Sequence, residues 1–333
     1  MNKEELLNEL SSKISSGEIS REEIADLFGS RPEQSSANET KGNSHFSITK
    51  ILYILGAAIV LIGIVAFVSQ IWHNVGSLGR ISVTLGMGLI TTAIGSVLLK
   101  QKPGEYIGPI FHFIGGMLIP GGSMVTLYEL DVDFSSIWPI AITFGVILLF
   151  YLLLNRVHKH PLLTFFSIAN GTAFVYLLVE AITKNSYIDR ENLYAYLTMV
   201  IGGSYIFLAY SFSKNWNKYL VGILCLVGSF AFLSSAFSRV LDASSRRGIG
   251  FHPWEILFFF FVFGGMFLSV KMKSGWILGV STLFLIAHVS YITSEYFADS
   301  LGWPISLVIL GFVFIGLGYG SVTINKKYIK GSA

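Results

Sequence analysis

The stretch SQIWHNVGSLGR (69–80) ends a run of about twenty apolar residues with Gln70, Trp72, His73, Asn74 and Arg80. Such a cluster offers donors, acceptors and a fixed positive charge. Glu180, Glu255, His288 and Glu295 fall near the ends of other apolar runs. If these groups meet, they form a vestibule of mixed charge able to bind a small anion, a sugar or a headgroup. Replacing Arg80 by Ala then abolishes binding. The plainer reading is that Trp72 sits at headgroup depth and the polar side chains satisfy a helix end, where backbone carbonyls lack partners. His112 and Asn170 lie deeper in apolar runs. Polar groups inside hydrocarbon are expensive and mark relays or substrate paths. Hydrogen bonding to a neighbouring backbone is the alternative for both.

The elements that must position these residues are membrane helices. The chain is 53% hydrophobic and only 13% charged, against about 25% charged in soluble domains. Ten apolar spans follow one another, at about 48–71, 78–99, 107–127, 135–154, 161–183, 192–212, 219–237, 254–270, 275–293 and 303–322. Each is long enough to cross about 30 Å of hydrocarbon as helix. None alternates with the period of two that a membrane barrel needs. The expected fold is therefore all-α and polytopic, with about ten transmembrane helices over 47–325. Alternate connections carry thirteen Lys and Arg on one side and six on the other. The positive-inside rule then places both termini in the cytoplasm, and the 69–80 cluster at the outer face. The arginine-bearing loop 238–253 dissents from this bias.

Before the first span, residues 1–28 read as a cytosolic helical hairpin, with Leu6, Leu7, Leu10 and Ile14 on one face. Ser20 and Glu23 form a capping box at its second helix. Residues 29–46 read as a flexible linker, and 326–333 as a basic cytosolic tail. The long polar arm ahead of the first span is unlike a cleavable signal peptide.

The segment ILGAAIVLIGIVAFVSQIWHNVGSLGRI resembles the opening of a family of bacterial predicted membrane proteins, domain of unknown function 2157. In that family a Gly-spaced first helix ends in an Asn-Trp-like motif and an Arg. Trp72-His73-Asn74 and Arg80 stand in those places. YITSEYFADSLGWPISLVILGFVFIGLGYGSVTINKK is similar to the family's closing segment, with Tyr296-Phe297-Ala298-Asp299 before a Gly-rich helix. The resemblance implies a multi-pass membrane protein and carries no activity.

Motifs of phosphate loops, zinc proteases and serine hydrolases are missing, so no cofactor is expected, and an intramembrane enzyme, with no nucleophile and base in view, is the least favoured of three functional readings. The single cysteine, Cys225, has no Cys/His spacing around it for a metal. Basic residues are spread over short loops, a topology signal rather than a nucleic-acid surface. GPIFHFIGGMLIPGG (108–122) brackets His112 with prolines and glycines. A broken helix at Pro120 is expected there. Gly202-Gly203 and Gly264-Gly265 repeat the glycine pairing in helices six and eight. Helices three and eight correspond if the chain is two inverted halves of five. Gly316 and Gly320 are spaced for close helix packing.

Two functions follow as expectations. One is transporter-like or channel-like binding of a small solute or lipid in the bilayer. The other is a membrane scaffold or sensor that recruits a cytosolic partner through 1–28.

Overall fold

The computed structural model describes residue 12 and residues 48–72, 74–102, 104–187, 189–245, 253–297, 303–324 and 326–327. The hairpin 1–28 apart from residue 12, the linker 29–46, His73, residues 246–252 of the 238–253 loop, Ala298-Asp299 and most of the tail lie outside the described residues. The chain forms two units, Met1–Ile51 and Leu52–Ala333. The packing below is that of the second.

Among the described residues every long element is a helix: α1 (Ile48–Ile71), α2 (Ser77–Gln101), α3 (Ile107–Glu129), α4 (Trp138–His158), α5 (Pro161–Thr183), α6 (Arg190–Phe212), α7 (Val221–Ser245), α8 (Pro253–Met272), α9 (Gly275–Phe297) and α10 (Trp303–Ile324). α2 to α9 are long and apolar enough to cross a bilayer. α1 and α10 are 24 and 22 residues long. The protein is an all-α polytopic membrane protein. In lipid, only such a helix satisfies its own backbone.

Successive helices run antiparallel, so the bundle has an Arg80 end and a His112 end. α2 and α3 approach through small residues seven apart. A Cβ on Gly108 would meet Leu99 N at 2.9 Å, and one on Gly115 would meet Thr92 Oγ1 at 2.1 Å. Without a hydrophobic force between helices in lipid, close backbone contact supplies dispersion energy instead. Thr84, Thr91 and Thr92 turn their hydroxyls onto carbonyls of their own helix, which leaves that face without free polar groups. α6 and α7 repeat the device: a Cβ on Gly202 would sit 2.6 Å from Phe232 N.

Two groups of helices result, α2–α5 and α6–α9, held by three buried clusters. In the first, Ile119 of α3, Ile147 and Tyr151 of α4, and Leu163 and Phe166 of α5 are buried together. In the second, Met199 of α6, Leu233 and Val240 of α7, Phe258 of α8 and Phe284 of α9 form the main core. The groups meet at the α5–α6 seam, and a third cluster bridges it: Ala209 of α6, Leu220, Leu224 and Cys225 at the start of α7, and Ile277 of α9 are buried together, with Phe165 and Ile168 of α5 packed against them.

Two expectations are corrected. α3 is one continuous helix with Pro120 inside it. A proline costs a membrane helix one donor and a carbonyl clash, which neighbouring helices can absorb. α2 clasps α3 on either side of that proline, at Gly115 and Gly122. α8 is continuous too, so interrupted helices at matching positions are absent from both. Among the described residues nothing lies within 4 Å of a Cβ at Gly316 or Gly320.

Candidate functional site

The residues singled out in the sequence fall into separate places. At the Arg80 end of the first group, Arg80 donates through Nε to the Trp72 carbonyl at 2.8 Å. Its Nη1 donates to Glu129 Oε1 at 2.8 Å. The guanidinium also lies 4.9 Å from the Trp72 ring centroid. Ser77 bonds the same carboxylate. Three chain segments are tied by one side chain: the end of α1, the start of α2 and the end of α3. Glu129 is the first carboxylate of the segment ELDVDF (129–134), at the end of α3. Asp133 of that motif instead binds the Ser135 backbone N–H and hydroxyl at 2.7 and 2.5 Å, which hold its carboxyl below the usual carboxylate range. Gln70 and Asn74 are exposed.

Glu255, His288 and Glu295 belong to the second group. Glu255 is 1% exposed and His288 fully buried. His288 Nε2 lies 3.2 Å from the Glu255 carbonyl oxygen. Phe258 and Phe259 pack on the imidazole at centroid distances of 4.8 and 4.5 Å. Glu295 is exposed further along α9. Asn170 is buried and donates to Phe166 O of its own helix at 2.8 Å. His112 is buried beside Ser96, with 3.4 Å between Nε2 and Oγ. Its ring lies 6.1 Å from that of His158.

His158 is the last residue of α4, and the two-residue turn into α5 is Lys159, with φ 46°, and His160. His160 caps α5: its Nδ1 accepts from Leu162 N–H at 3.2 Å. That bond requires a bare nitrogen. Burial first, then the neighbouring His158, hold His160 below its ordinary value of 6.5. A depressed folded value means that the unfolded chain binds the proton more readily. The cap therefore contributes fully above 6.5 and is lost as pH falls toward the folded value. We expect the melting temperature to drop between pH 7.5 and pH 5.5. His160→Asn, an untitratable cap, should shrink that drop; an unchanged drop in a thermal melt at the two pH values would count against it.

Glu180 leads to a site that sequence reasoning did not assemble. Its carboxylate accepts from Tyr194 OH and from Arg190 Nη1 at 3.2 Å. One turn down α5, Tyr176 OH lies 2.7 Å from Thr198 Oγ1. A further turn down, Thr172 Oγ1 lies 2.5 Å from Tyr205 OH. A threonine hydroxyl has one proton. Thr198 donates its proton to Tyr194 O, and Thr172 to Ile168 O. In every rung, then, a tyrosine donates across the seam. Because the threonine protons end on helix carbonyls, the rungs do not join into a proton wire.

From Glu180 to Thr172 is eight residues, or about 12 Å along the helix. Over this length the α5 and α6 backbones barely approach each other. The long tyrosines fill the gap, with Tyr176 and Tyr194 stacked at 6.2 Å. All five hydroxyl residues are half-buried. Below the last rung the seam turns apolar. A cavity of about 120 Å³ opens beside Tyr205, lined otherwise by apolar groups such as Phe165, Ile168, Leu220 and Leu224. Past it, Thr164 donates to Asn217 Oδ1 at 2.9 Å and accepts from Asn155 Nδ2 at 3.0 Å. The seam is thus polar toward Glu180, apolar around the cavity at Phe165 and Ile168, and polar again at Thr164 and Asn217.

The sequence signal for this ladder was available: Thr172, Tyr176 and Glu180 are spaced four apart on α5, as are Tyr194 and Thr198 on α6. Tyrosine in a membrane helix reads as an interface residue, which hides the pattern. Among the described residues no group of three or more His, Cys, Asp or Glu could hold a metal ion.

A search of curated proteins and a search of solved structures each found no match. One family model does match, and it covers the segment that runs through the Trp72–Arg80–Glu129 latch. Over residues 15–159 the chain is similar to DUF2157, a family of predicted membrane proteins.

Proposed function

We propose that this is a transporter-like protein of the cytoplasmic membrane that binds a small hydrogen-bonding solute along the α5–α6 seam. Both termini face the cytoplasm in this reading, so the Arg80 end opens outward. The observation that carries it is the ladder of three tyrosine-donated bonds along the part of the α5–α6 seam between Glu180 and the shared apolar cluster. A side-chain hydrogen bond between membrane helices averages about 0.6 kcal/mol, so three rungs hold the seam by about 2 kcal/mol. A solute that offers replacement acceptors to Tyr176, Tyr194 and Tyr205 can exchange with the rungs at little cost. Below the ladder the lining turns apolar near Ile168, which confines a hydrogen-bonding solute to the Glu180 side. The rungs are discontinuous in their protons, which favours a bound solute over a proton relay.

The test is a thermal-shift screen of the detergent-purified protein against sugars, polyols, amino acids, amines and carboxylates. A ligand that binds only the folded state raises stability by mass action. One chemical class should raise the melting temperature, and Tyr176→Phe and Glu180→Gln should each remove most of that rise. No shift across the panel, or a shift that survives both substitutions, contradicts the proposal.

A further inference from the structure

A second cavity lies in the other helix group. It occupies about 320 Å³ between α6 and α8, with α7 and α9 as its floor. Gly203 and Ile206 form one wall; Phe260, Gly264 and Gly265 form the other. These are the paired glycines of Gly202-Gly203 and Gly264-Gly265. The first of each pair does different work from its neighbour. Gly202 lets α7 approach, whereas a Cβ on Gly264 meets nothing within 4 Å and one on Gly203 meets only Phe232, at 4.0 Å. Gly203 and Gly264 therefore keep a cleft open rather than close a contact. Both lie near the middle of their helices, at hydrocarbon depth.

What can fill this cleft follows from its chemistry. Its lining is almost wholly apolar. Ser229 spends its hydroxyl on Cys225 O at 2.6 Å, and Ser281 Oγ is buried without a partner. A bound water needs two to four polar partners, and the cleft does not offer them. A protein helix is about 10 Å across with its side chains, too wide for a slot of this volume. A linear alkyl chain fits the width, the depth and the lining. We infer that the α6–α8 cleft is a binding site for one acyl chain of a bilayer phospholipid. The glycines at 203 and 264 are what admit it.

The experiment uses the full chain reconstituted in phosphatidylcholine that carries a diazirine at mid-chain, with adducts located by mass spectrometry. Adducts around 203–206 and 260–268 should exceed those at the lipid-facing residues Leu149 and Leu153 of α4 several-fold. Gly264→Phe, at a position where a Cβ meets nothing within 4 Å, should occupy the cleft and abolish the excess. Gly279→Phe, at an equally open glycine of α9, should leave it unchanged. An even distribution of adducts, or an excess untouched by Gly264→Phe, overturns the inference. So does a disulfide-linked dimer formed by Gly264→Cys in a Cys225→Ser background, which would place a second copy in the cleft.

Discussion

Replacing Arg80 by alanine is expected to lower the melting temperature of the solubilised protein by several degrees. The Glu129 side chain is only 5% exposed. Without Arg80 it keeps its charge but loses its main partner, the costly half of breaking such a pair. The Trp72 carbonyl at the end of α1 loses its donor as well. The loss should not be additive. Arg80→Ala with Glu129→Gln removes the stranded charge and should recover part of the stability, a coupling that a double-mutant cycle reads directly. Arg80→Lys should rescue less than half, because an ammonium cannot serve both partners with a planar fork. Equal melting temperatures for parent and Arg80→Ala would mean that the latch holds nothing.

Gly122→Ala is expected to cost about 3 kcal/mol, at the upper end of overpacking penalties. The added Cβ would sit 2.5 Å from Leu85 N, 2.6 Å from Leu85 Cα and 2.8 Å from Thr84 C. All three are backbone atoms, in the π-helical turn Ser82–Gly86 of α2. No rotamer change can relieve them, so the helices must part. The adjacent Gly121 is the control, since a Cβ there meets nothing within 4 Å. Gly121→Ala should be neutral or slightly stabilising, because alanine is the better helix former. Denaturation of both variants in one detergent separates helix propensity from crowding. Equal losses at 121 and 122 would contradict the close α2–α3 approach.

The helices themselves were legible in the sequence. The first apolar span, about 48–71, coincides with Ile48–Ile71, and the others differ mainly in their ends. Hydrocarbon enforces this legibility, because any backbone that leaves the helix loses its partners. Pairing between helices was not legible. Lipid-facing and partner-facing positions are both apolar, so periodicity carries little information about neighbours. Arg80 illustrates the limit. Its type and position were plain, yet its partner is Glu129, forty-nine residues away. Glu180 was grouped with Arg80 in a vestibule of mixed charge, whereas the structure gives it Tyr194 and Arg190. Pro120 was read as a break, but a proline breaks a helix only when nothing around it holds the two halves in line. Asn170 follows the plainer expectation, bonded within its own helix.

The central claim is that the upper α5–α6 seam admits water and solute. It is tested most directly by thiol accessibility in a Cys225→Ser background. Tyr176→Cys and Thr198→Cys would be exposed in sealed vesicles to a charged, membrane-impermeant methanethiosulfonate. Both should react readily from one face of the membrane only, and much faster than Leu149→Cys on the lipid-facing side of α4. If both remain unreactive while a membrane-permeant maleimide still labels them, the seam is dry and the solute path is wrong.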